Sequence, residues 1–146
     1  MAFKYRLESY LDVKSKIEGQ RKIEYGVALS KLDEEINKKK LLCKQKDAAI
    51  ADFKLRLGDK IYPGLYRDTN NYIELLKRQI IKQDDVIAQA GLEVERKRDL
   101  LTEAVKERKT LEKLKEKNQI EYNREQIIKE QKLVDEITSY KFSKQT

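Results

Sequence analysis

Two runs of seven-residue apolar spacing, parted by the chain's only proline, decide what this sequence can fold into. Leu29, Ile36, Cys43, Ile50 and Leu57 make the first run, with Tyr25, Leu32, Lys39, Lys46 and Phe53 at the companion positions. Ile73, Ile80, Ile87, Val94 and Leu101 make the second, accompanied by Leu76, Gln83, Ala90, Lys97, Ala104 and Leu111. Spacing of this kind lays a narrow apolar seam along a helix and buries it against another helix. Upstream, Phe3, Tyr10 and Ile17 are also seven apart, with Leu7 between them, and the register shifts after Ile17.

Composition agrees with long helices and not with a layered core. Of 146 residues, 40% are charged and 39% hydrophobic, with five Gly and no Trp. Such a chain either forms a coiled coil or stays disordered, and a disordered chain has no reason to keep a period. The spacing predicts one domain over residues 1–146. A first helix covers 3–57, a hinge 58–71, a second helix 72–140 and a short tail 141–146. At 1.5 Å per residue the helices would be about 80 and about 100 Å long.

The hinge reading rests on Pro63-Gly64, on Gly58 as a C-cap just after Leu57, and on Asn71 followed by Glu74 at capping-box spacing. A short break between heptad runs favours an antiparallel hairpin. With Leu57 set near Ile73, Lys39 faces Gly91, Lys97 nears Asp33 and Phe3 meets Ile127. Residues beyond about 128 then have no cover within the chain. A parallel homodimer is the structural rival.

The stretch Glu107–Ile137 sharpens the question of what covers what. It has no Gly or Pro, and more than half of it is charged or amide. Its spacing changes: Leu100, Leu111, Tyr122 and Leu133 are eleven apart, which relaxes a left-handed supercoil. Ile120, Ile127 and Val134 form a second row, and Ile120 falls roughly opposite Leu111 around the helix. One partner helix can cover only one of two such stripes.

Catalytic chemistry finds few residues to work with. There is no His, the commonest general base and metal ligand. The single Cys43 sits on the seam with nothing arranged to activate it, so a structural thiol is the expected reading, without a disulfide and in a reducing compartment. The five glycines are scattered and make no phosphate loop. Neighbouring acids such as Asp84-Asp85 point to different sides of a helix. The expectation is a non-enzyme with no cofactor, no metal site and no small-molecule substrate.

Net charge is +7, modest and interspersed with acids. The cluster Lys38, Lys39, Lys40, Lys44 and Lys46 reads first as a solvated face and second as contact with an acidic partner. No aromatic interleaves with it, which argues against single-strand nucleic-acid binding. The N-terminus has no apolar core of a secretory signal, and no apolar run approaches the roughly 20 residues of a membrane span. A cytoplasmic protein, at most peripheral to a membrane, is expected. Tyr62, Leu65, Tyr66 and Tyr72 crowd the hinge, either closing the end of the coil or forming a docking tip.

Three stretches together resemble the FliJ family of the bacterial flagellar protein-export apparatus. They are the opening FKYRLESYLDVK, the hinge-side YIELLKRQI, and the closing ERKTLEKLKEK with its later EQKLVDEI. The resemblance spans essentially the whole chain. It implies an all-α fold of two long helices in an antiparallel coiled-coil hairpin, similar to the gamma stalk of rotary ATP synthases. It implies binding to a hexameric export ATPase (FliI-like), contact with an export gate protein (FlhA-like), and escort of export chaperones at the cytoplasmic face of the inner membrane. By position, Leu42, Tyr72, Leu76, Gln79 and Gln83 resemble the gate-facing row, although Leu76 and Gln83 are also seam positions. For the ATPase, the candidates are Phe3, Leu7, Ile120, Tyr122, Ile127, Leu133, Val134 and Ile137. An injectisome stalk and a basic coiled-coil adaptor are the alternatives.

Overall fold

The computed structural model describes residues 2–58 and 62–145. Two helices account for nearly all of them: α1, Glu8–Arg56, and α2, Pro63–Lys144. No strand occurs among the described residues. The fold is all-α, two long helices running antiparallel in close coiled-coil contact.

The helix boundaries depart from the sequence expectation at both ends of each helix. Residues 3–5 are not helical, and α1 starts at Glu8, whose amide donates to the Tyr5 carbonyl at 3.1 Å. At the other end, Leu57 and Gly58 form a turn, and no glycine among the described residues has positive φ. Gly58 is therefore not the left-handed cap that its position indicated.

The largest departure is at the hinge. Residues 63–71, expected as loop, are the first turns of α2. Pro63 sits at the first helical position, where its missing N–H costs nothing and its fixed φ suits the helix. The Tyr62 carbonyl accepts from Leu65 N at 3.1 Å and Tyr66 N at 3.4 Å. Proline here starts a helix instead of keeping one away, so Asn71 lies inside α2 and caps nothing. The remainder of the expected hinge, Asp59, Lys60 and Ile61, lies outside the described residues. The helix also runs through residues 141–144 of the expected tail; Thr146 is outside the described residues.

The chain divides into two compact units, one of residues 21–101 and one of residues 1–20 with 102–146. In the unit 21–101, the covered face of α1 has two rows at heptad spacing. One is Tyr25, Leu32, Lys39, Lys46 and Phe53, all half-buried. The other is Arg21, Ala28, Glu35, Leu42 and Ala49, with Ala28 and Glu35 the most buried. The apolar run chosen from sequence is the flank of this seam. Ile36, Cys43 and Ile50 are half-buried, but Leu29 and Leu57 are 40% and 58% exposed. On α2, Ile73 and Leu76 are buried, and Ile80, Gln83, Ile87, Ala90, Val94, Lys97 and Leu101 are half-buried.

Several polar side chains complete this seam by finding a partner across it. Gln83 Nε2 donates to Glu35 Oε2 at 2.6 Å and to the Glu35 carbonyl at 2.8 Å. Lys39 pairs with Asp84 at 2.6 Å, and Lys97 with Glu24 at 3.4 Å. These contacts correct the expected register. Lys39 faces Asp84, seven positions before Gly91, and Lys97 meets Glu24 rather than Asp33. A slip near one heptad leaves both seams facing each other, so periodicity cannot detect it. The early start of α2 is what sets it.

In the unit of residues 1–20 with 102–146, Tyr5, Leu11, Glu18 and Ala104 are buried. Covered positions on α2 keep the heptad, through Ala104, Leu111 and Asn118 and through Arg108, Lys115 and Tyr122. The eleven-residue spacing is not the spacing of contact, since Leu133 is 57% exposed. Ion pairs cross the seam here as well: Lys14 with Glu107 at 2.7 Å, Lys115 with Glu8 at 2.9 Å, and Arg108 with Glu18.

Candidate functional site

The unit of residues 1–20 with 102–146 contains the clearest change in the character of α2. Phe3 packs its ring on Tyr122 with centroids 5.4 Å apart, and the Tyr5 hydroxyl donates to the Leu111 carbonyl at 3.1 Å. Phe3 therefore meets Tyr122 and not Ile127. These two aromatic anchors end the covered part of the helix. Every described residue from 127 to 145 is exposed.

The sequence of this overhang explains why it stays uncovered. Continuing the two covered rows past Asn118 and Tyr122 gives Glu125, Lys132 and Ser139, then Lys129, Glu136 and Ser143. None is apolar, so these two rows have nothing to bury further on. The apolar residues lie off those rows. Ile127, Val134 and Ile137 are 56%, 59% and 48% exposed, and Tyr140 and Phe142 are more exposed still. Ile127 and Val134 line one shallow groove with Glu130, Gln131 and Asp135. Single exposed apolar residues are ordinary, but a row of them at helical spacing marks an interaction surface.

The candidate ATPase residues thus fall into two groups. Phe3 and Tyr122 are half-buried against each other. Leu7, Ile120, Ile127, Leu133, Val134 and Ile137 are exposed. Tyr5 was not singled out from sequence, although it is one of the most buried side chains; an aromatic two residues after Phe3 was the available signal.

The gate-facing candidates are all in the unit 21–101, and they also divide. Leu76 is 3% exposed and faces the seam. Gln83 spends its amide on Glu35, and Leu42 is half-buried. Only Tyr72 and Gln79 stand out to solvent. Tyr72 lines a groove of about 590 Å³ with Gln45, Ala48, Ala49, Asp52, Asp68 and Thr69.

Nearby, Tyr66 packs on Phe53 with centroids 5.4 Å apart, while Tyr62 and Tyr66 remain 68% and 53% exposed. The hinge aromatics both close the coil and present a surface. The lysine cluster is partly spent: Lys38 pairs with Glu35 at 3.3 Å and Lys39 with Asp84. Lys40 and Lys44 are exposed. A second groove, of about 330 Å³, has a floor of Ala28 and Ala90 and walls of Ile23 and Val27. Its signal in the sequence was the pairing of small residues at facing seam positions.

Electrostatics here serve the seam. Gln83 and then Lys38 hold the Glu35 carboxyl below its ordinary value against the opposing effect of burial. Arg21 does the same for Glu24 and Arg96 for Glu93. Glu18, ahead of Glu112, raises Arg108, and Asp84 raises Lys39. Among the described residues no group of three or more His, Cys, Asp or Glu could hold a metal ion, and no helix is long and apolar enough to cross a membrane.

Comparison with known proteins gives a family and a fold. The family model for the flagellar FliJ protein matches residues 3–146. No curated protein sequence matches the chain. Among solved structures, CT670 of Chlamydia trachomatis, described as a candidate homologue of YscO, is similar with a TM-score of 0.53 at 21% identity. The likeness covers 99% of this chain and 99% of that one, and it shows a shared fold.

Proposed function

We propose, because this chain belongs to the flagellar FliJ protein family and is thereby a component of a bacterial type III export apparatus, that it works there as a non-enzymatic stalk. In this reading it binds the hexameric export ATPase through the exposed end of α2. It contacts the export gate through the flank that carries Tyr72 and Gln79, and it escorts export chaperones. It acts in the cytoplasm, at the membrane face where the apparatus stands, and uses no cofactor.

One observation supports the ATPase contact above the others. The helix continues to Lys144 although nothing in its own unit covers it beyond residue 126. A helix of this polarity holds its apolar row Ile127–Val134–Ile137 in water only at a cost that a partner relieves. The stalk stimulates the ATPase by binding its assembled, active state more tightly than its other states, which shifts the population toward that state.

The test is ATP turnover by the export ATPase with and without the chain. Replacing Ile127, Val134 and Ile137 together by Ser is expected to abolish stimulation and capture of the ATPase. Helix content and melting temperature should stay unchanged, because all three side chains are already exposed. Full stimulation by the triple variant refutes the assignment.

A further inference from the structure

The groove beside Tyr72 differs in charge from the rest of α1. Up to and around the groove's first lining residue, Gln45, that helix presents Lys38, Lys39, Lys40, Lys44 and Lys46, and the chain as a whole is +7. Yet the groove of Gln45, Ala48, Ala49, Asp52, Asp68, Thr69 and Tyr72 contains two carboxylates and no cation. Asp68 makes no ion pair among the described residues. Asp52 is 61% exposed and meets only Arg56, one turn away on its own helix, at 3.4 Å. An exposed pair of that kind is weak and easily exchanged.

The other lining groups suit the same guest. Ala48 and Ala49 are small and leave an apolar floor. Tyr72 lines the groove and is 47% exposed, and Leu75, one turn further along α2, is 46% exposed. A methylene stem lies well on alanine and an aromatic ring, while its charged head reaches for carboxylate. A guanidinium gains twice, from the ring face and from bidentate bonding to Asp.

We infer that this groove is a docking site for a basic amphipathic helix of another protein, whose arginine enters between Asp52 and Asp68 while its apolar face lies on Tyr72 and Leu75. Charge complementarity selects this occupant. A second copy of the chain would bring its own lysine-rich α1, where Lys39 and Lys38 are engaged by Asp84 and Glu35 and the exposed Lys40 and Lys44 lack the planar fork that bonds carboxylate bidentately. An acidic ligand or a nucleic acid would meet two carboxylates, of which only Asp52 has a cation beside it. The inference rests on the reading of the Tyr72 flank as partner-facing and adds the chemistry of what it receives.

The experiment uses the full chain and two synthetic peptides. Both are 16-residue amphipathic helices with one leucine row and two basic positions a turn apart. One carries arginine there and the other citrulline, which has nearly the same shape and no charge. Titration calorimetry should show the arginine peptide binding at least tenfold more tightly, with an advantage that shrinks as salt rises. Amide NMR shifts should centre on Asp68–Tyr72, and the Asp52→Asn/Asp68→Asn variant should lose the preference for arginine. Equal binding of the two peptides, binding of neither, or an undiminished preference in the double variant overturns the inference. A separate arm measures capture of the export gate protein by Tyr72→Ala. Undiminished capture there refutes the gate reading of this flank, while the peptide comparison judges the charge recognition on its own.

Discussion

Leu76 is the side chain on which the seam of residues 21–101 most depends. At 3% exposure it is the most buried apolar residue among the described residues. Leu76→Ala removes that contact and leaves a gap that two helices close only partly, costing about 2 kcal/mol, the low end for such changes because the seam is thin. A chemical melt followed by circular dichroism measures this. If the stability is unchanged, Leu76 faces a partner and not the seam. Glu35 poses the opposite case. It is buried in the seam and satisfied by Gln83. Replacing both by Leu removes a desolvated charge together with its partner, and such exchanges are often stabilising. The double variant is expected to melt higher, by on the order of 5 °C. Glu35→Leu alone takes the carboxylate from the Gln83 amide, leaves it only the backbone carbonyl of residue 35, and is expected to melt lower. Acid should act on the same groups. Glu24, Glu35 and Glu93 are held below the ordinary value of 4.5. Depressed carboxylates contribute stability that is complete above the unfolded value and is lost as pH falls through the folded one. Melting temperature should therefore be flat from about pH 7 to about pH 5 and should drop below about pH 4.5. A fall that begins near pH 6 would show that other groups control it.

At the scale of elements, the two ends of α2 behave differently. Its start carries the pairing with α1, and its last part carries none. Truncation after Gln126 keeps Tyr122, and with it the ring contact to Phe3. The shortened chain should lose helix content in proportion to the residues removed, yet melt within about 2 °C of the full chain, because residues 127–145 are all exposed. A large drop in melting temperature would mean that the overhang folds back onto its own unit. The same division shows what was legible in the sequence. On α2, the seven-residue spacing of Ile73, Ile80, Ile87, Val94 and Leu101 is also the spacing of the covered residues, since apolar side chains occupy the seam there. On α1, one covered row holds Arg21, Ala28 and Glu35. Apolar periodicity passes over such a row and selects Leu29, Ile36 and Cys43 beside it. What makes Glu35 acceptable is Gln83, 48 residues away, and no local pattern displays that. The hinge was misread because Pro63-Gly64 suits a loop as well as a helix start. The choice between them moved the register by about a heptad. Ile127 and Val134 of the exposed overhang were legible, with Ile120, as a second stripe. Its partner was not, because a stripe specifies an area to cover and not the molecule that covers it.

For the whole molecule, the distribution of charge in the seam decides between a hairpin and a dimer. A parallel homodimer in register would set Lys39 against Lys39, Lys46 against Lys46 and Glu35 against Glu35 at neighbouring core positions. Like charges at facing seam positions oppose association, and they are a common device for excluding it. In the hairpin, Lys39 meets Asp84, Glu35 meets Gln83, Glu18 meets Arg108 and Glu8 meets Lys115. The polar seam residues that lower its stability therefore select the intrachain partner. Light scattering at low concentration should give the mass of one chain, 17.3 kDa. Reversing both Lys39 and Lys46 to Glu should weaken the hairpin, since a carboxylate at position 39 would then face Asp84, and melting temperature should fall. Adding Asp84→Lys to that variant restores an opposite pair and should recover most of the loss. A double-mutant cycle over Lys39 and Asp84 reads the coupling directly. If the parent chain scatters as a dimer and the cycle shows no coupling, the seam pairs two copies and the intrachain register is wrong.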